Sequence, residues 1–213
     1  MRNLVASASI SLSISSLLAL LALGPGCSGE SPAPPSASVA EQLALGTRLQ
    51  ITHANSVALL TARAQPLGEV RVAIGVVGGQ VDLTLMDGAL HLGQLELGLD
   101  EATMAPGGLP LRLSAGTLRL DDTAVAAATV SADGDRVSAQ LVVALTLDWT
   151  VSMGSLQAPL GEQELMVPVH VEVTHDEAGH LSAGLTATVS GTFWDWAGVA
   201  RMADLSLMLR ATD

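Results

Sequence analysis

Residues 137–153 read VSAQLVVALTLDWTVSM, and this stretch decides the fold of the chain. Val137, Ala139, Leu141, Val143, Leu145, Leu147, Trp149, Val151 and Met153 occupy every second place. Between them lie Ser138, Gln140, Val142, Ala144, Thr146, Asp148, Thr150 and Ser152. A period of two sets the first group on one face of a strand, whereas a helix would scatter it around its axis. One face covers a core and the other meets water, as in an antiparallel sheet. Seventeen residues at ~3.3 Å each reach roughly 55 Å, so such a strand has to bend or coil.

The same alternation runs through Leu165, Val167, Val169, Val171 and Val173, then through Leu181, Ala183, Leu185, Ala187, Val189 and Phe193. Leu205, Leu207, Leu209 and Ala211 close the chain. His175-Asp176-Glu177-Ala178-Gly179 is a turn-sized connection. Pro168 cannot donate to a ladder, which predicts an edge or a bulge there. Upstream, Gly78-Gly79 and Asp87-Gly88 are favoured two-residue hairpin turns, and Asp133-Gly134 marks another turn. Apolar places slip from even (Leu90, Leu92) to odd (Leu95, Leu97, Leu99) at Gly93, which predicts a β-bulge. Residues around Ser56–Ala64 read equally as helix or strand.

Short connections join consecutive antiparallel strands rather than crossovers. The expected fold is all-β: an antiparallel meander of about ten strands forming a curved sheet, a half-barrel or barrel, or a sandwich. A transmembrane barrel would need aromatic girdles at both interfaces. This chain has three tryptophans, one phenylalanine and no tyrosine.

The formal net charge is −12, with every basic residue an arginine. Such a surface repels phosphate backbones, so nucleic acid is not an expected partner.

Residues 4–23, LVASASISLSISSLLALLAL, carry no charge, and their apolar density gathers in Leu17–Leu23. Gly24-Pro25-Gly26-Cys27 follows, with the only cysteine of the protein. The stretch resembles the type II signal peptide and lipobox of bacterial lipoproteins, with Gly24 where that family prefers leucine. The resemblance implies cleavage before Cys27 and lipidation of its thiol, so that residues 1–26 are the signal peptide. Loss of Arg2 and of no acid then takes the charge from −12 to −13. Ser28 after the cysteine implies carriage to the outer membrane, and a periplasmic-facing domain is expected there. Three fatty chains anchor far more strongly than one. Residues 27–40 are then the lipidated cysteine and a Pro/Ser-rich tether, extended rather than packed. Residues 41–213 are expected to form a single all-β domain.

Chemistry is sparse. No G-x-S-x-G elbow, phosphate loop or EF-hand spacing occurs, and no cofactor is implied. His175, Asp176, Glu177 and His180 gather at one hairpin, after His170 and Glu172 on the preceding strand. Imidazoles and carboxylates so placed are a donor set for zinc or another divalent ion. A turn also collects polar residues for its own sake, and H-x4-H-x4-H matches no established metal spacing. Trp194-Asp195-Trp196 is either an aromatic contact for a ligand or partner or a cap on the core.

Two readings of function follow. One is a non-catalytic envelope lipoprotein with a structural or protein-interaction role. The other is a carrier holding a lipid or other apolar ligand, by likeness of shape to the half-barrels of lipoprotein-sorting proteins. A hydrolase or a metal-binding protein stands behind both.

Overall fold

The computed structural model describes residues 37–213 apart from 65–67, 106–109 and 197–198. At 62–64, 68, 153, 156, 158–163, 191–196 and 199–203 it describes the backbone alone. The signal segment, Cys27 and the tether up to residue 36 lie outside the described residues.

Among the described residues a helix, α1 (Val39–Ala44), precedes twelve strands. These are β1 (Thr47–Ile51), β2 (Val57–Ala64), β3 (Gly68–Met86), β4 (Ala89–Leu99), β5 (Ala102–Met104) and β6 (Leu111–Leu113). They continue with β7 (Gly116–Leu120), β8 (Ala124–Val130), β9 (Arg136–Met153), β10 (Leu156–His175), β11 (Leu181–Trp196) and β12 (Val199–Thr212). Every pairing is antiparallel.

The strands close into a barrel. β1 and β2 share one stave, because each pairs with β3 on one side and β12 on the other. β4 with β5 make a second broken stave, and β6, β7 and β8 a third, set between β4–β5 and β9. With β3, β9, β10, β11 and β12 entire, the staves number eight and follow one another in chain order. Closure leaves no edge where the ring is complete.

The alternation of 137–153 is seated as its period demands. Leu141 and Val143 are wholly buried, while Gln140 and Asp148 stand on the outer wall. Apolar inside and polar outside is the reverse of a transmembrane barrel. No helix among the described residues is long and apolar enough to cross a membrane.

Asp87-Gly88 turns with positive φ at both residues (52° and 75°), as a type I′ hairpin requires. Gly93 is the extra residue between the rungs Asp82↔Gln94 and Leu83↔Leu92. Gly78-Gly79, in contrast, is not a turn. β3 runs straight through it with a register shift between Val76 and Gly78. A Cβ on Gly79 would lie 2.1 Å from the Glu96 carbonyl oxygen, so glycine serves close strand approach here rather than reversal. The segment around 56–64 is strand β2.

The fold also begins earlier than residue 41. Ser38 caps α1: its hydroxyl accepts the Glu41 N–H, and the Glu41 carboxylate accepts the Ser38 N–H. Val39 and Leu43, four apart, put their side chains fully inside. The helix packs on β3 at one side of the barrel and on β9 and β10 at another, so it lies across the mouth. The Ala40 N–H donates to the Gly134 carbonyl at 3.0 Å and ties the plug to the β8–β9 turn.

Candidate functional site

The ring is complete only towards the plugged end. The β9–β10 ladder runs to Met153↔Leu156 and the β11–β12 ladder to Trp196↔Val199. The β10–β11 ladder between them stops at Val169↔Ala187. The parting begins at Pro168, which has no N–H to donate. Opposite, the β3–β4 ladder ends with β4 itself, at Val76↔Leu99 and one further bond from the Asp100 N–H to the Gly75 carbonyl. Beyond those bonds β5 carries the β4 stave on alongside β3, so the wall opens between β10 and β11. Half-buried Leu165 and Val189 line the two strands that part.

Outside, beside the parting, Val142 and Met166 are 63% and 60% exposed. Val142 pairs with Pro168, and Met166 with Ala144, so these residues form an apolar strip on adjoining strands. Exposed apolar side chains gathered in a strip point to contact more than scattered ones do.

At the apex the outer wall holds a groove of about 240 Å³. His170, Glu172 and Thr174 line it from β10, Ser182, Gly184 and Thr186 from β11, and Arg210 from β12. Glu172 pairs with Gly184, and Gly184 with Arg210, so the missing side chain of Gly184 leaves a slot between an acid and a base. Glu172 accepts from the Arg136 guanidinium at 2.9 Å, with His170 Nε2 4.0 Å away. Arg210 Nε donates to Ser182 Oγ at 3.1 Å, and Ser182 is itself 3% exposed.

The expected hairpin ligands do not converge. His175 meets Gln42 of the plug, Nε2 to Nε2 at 2.9 Å, while His170 and Glu172 belong to the outer wall. The Asp176 carboxylate accepts the N–H groups of Ala178 (2.8 Å) and His180 (3.0 Å). These bonds, that from His180 foremost, hold its carboxyl below the usual aspartate range. Glu177 and His180 are exposed at the turn. Among the described residues no three His, Cys, Asp or Glu side chains are placed to hold a metal ion. Trp194 and Trp196 belong to β11, opposite Arg201 and Val199, and their side chains lie outside the described residues.

Sequence reasoning singled out His170 and Glu172 but missed Ser182, Gly184 and Arg210. These lie on two other strands, and only the register brings them to the groove. The chain matches no protein-family model and no curated protein sequence.

Proposed function

We propose that this protein is a non-catalytic lipoprotein of the bacterial envelope, anchored through Cys27, whose domain docks an extended segment of another envelope protein at the β10–β11 parting. One observation carries this reading: β10 and β11 each keep their outer neighbour while losing each other beyond Val169↔Ala187. Two edges with unmet backbone donors and acceptors are the template for strand addition. The apolar strip of Val142 and Met166 gives such a segment something to rest on. The filled interior of the plugged half, where Leu83, Leu90, Leu141, Val171 and Val173 are fully buried, favours this reading over a central ligand chamber.

The carrier reading has its own support. Leu165 and Val189 give the parting an aliphatic lining through which an acyl chain would enter. One experiment separates the two. The full chain and a V142D/M166D variant are purified from the native envelope, with organic extracts of both analysed by mass spectrometry. Docking predicts a stoichiometric protein that accompanies the parent chain and is lost from the variant. A stoichiometric lipid with no such protein would replace docking by the carrier reading.

A further inference from the structure

We propose that the groove at the apex of the parting recognises a carboxylate, an acidic side chain or chain terminus, on the docked segment; this rests on the docking reading above. The groove lies one rung from the parting, because its upper pair His170↔Thr186 adjoins the last rung Val169↔Ala187. A segment whose end passes over the outer face of the last rung therefore meets it.

The charges name the ligand. The Glu172 carboxylate is engaged by Arg136, so the second base, Arg210, is not neutralised by it. Arg210 is exposed on the outer wall and lines the groove, and its Nε bond to buried Ser182 holds the stem of the side chain there. A planar fork so held matches a carboxylate with two parallel hydrogen bonds. Gly184 leaves the space beside it that a side chain would fill. The hydroxyls of Thr174 and Thr186 add neutral donors. Among the described residues Arg210 has no carboxylate partner, and in a chain of net charge −12 an arginine left so gives an acidic group a reason to settle here rather than elsewhere.

The test is a titration of the isotope-labelled full chain, followed by NMR, with N-acetylglycine and with its uncharged amide. The carboxylate should give saturable shifts of the Gly184 amide and the Arg210 Nε–H, and the amide should give none. Binding should weaken roughly tenfold or more in R210Q and less in R210K, which keeps the charge without the fork. S182A, which leaves the charge but releases the stem, should weaken it severalfold. Equal shifts from both probes, no saturable shift, or full binding by R210Q would overturn the proposal. Carboxylate binding by a chain whose V142D/M166D variant keeps the same partner would sink the docking reading and leave the groove's specificity standing.

Discussion

Gly116 lies against the edge of the Trp149 indole so closely that a Cβ on it would fall 1.9 Å from Cδ1 and 2.3 Å from Nε1. The two residues belong to neighbouring strands, β7 and β9, and the ring takes the room that glycine leaves. Trp149 is 2% exposed, and its indole N–H has no acceptor among the described residues. We predict that G116A destabilises the domain by roughly 1–3 kcal/mol through overpacking. W149F should offset much of that loss in the double variant, because the smaller ring withdraws and an unmet donor goes with it. Urea unfolding of the four proteins measures the coupling. Additive losses would mean the contact does not govern the site.

The plug is a second place where small changes act strongly. Leu43 is fully buried at the mouth of the barrel, and L43A should cost about 2–5 kcal/mol. Removing the cap with S38A should cost about 1 kcal/mol. A chain begun at residue 46 would uncover the end of the core and should bind a hydrophobic dye that the parent ignores. Unchanged unfolding midpoints would show that the helix does not seal the barrel.

Acid should loosen the turns. The carboxyl of Asp176 is held below its ordinary range chiefly by the His180 N–H, and that of Asp133 chiefly by the Ser131 hydroxyl. Arg48 does the same for Asp82 across β1 and β3. A carboxyl whose folded value is depressed stabilises the fold above its unfolded value, and that contribution is lost as pH falls through the folded value. D176A and D133A should therefore be less stable than the parent at neutral pH. The gap should narrow below the ordinary aspartate range. A gap that stays constant with pH would contradict these assignments.

The strands were legible because burial on one side writes itself as a period of two, and Val137–Val151 kept that period without a break. The slip of parity at Gly93 signals a bulge, and it is one. An equal slip, from Val76 to Val81, is disguised in the sequence by Gly78-Gly79, which imitates a hairpin. There a neighbouring carbonyl, not a reversal of the chain, requires glycine. The plug was hidden by its proline-rich approach, although Ser38-x-x-Glu41 is a capping box that could have been read. Pro168 foretold an interrupted ladder. The groove was illegible, since its acid, base and glycine come from three strands whose register only the closed barrel sets.

The central claim, that a partner segment lies along the β10–β11 parting, is tested most directly by photo-crosslinking in the living host. A photoreactive residue is placed at Met166 or Thr188, which stand exposed beside the parting, and at Met86 in the hairpin of the plugged end as control. The account predicts one discrete adduct with an envelope protein from both Met166 and Thr188, absent from Met86 and lost when V142D is added. The same adduct from Met86, or none from either flank of the parting, would contradict it.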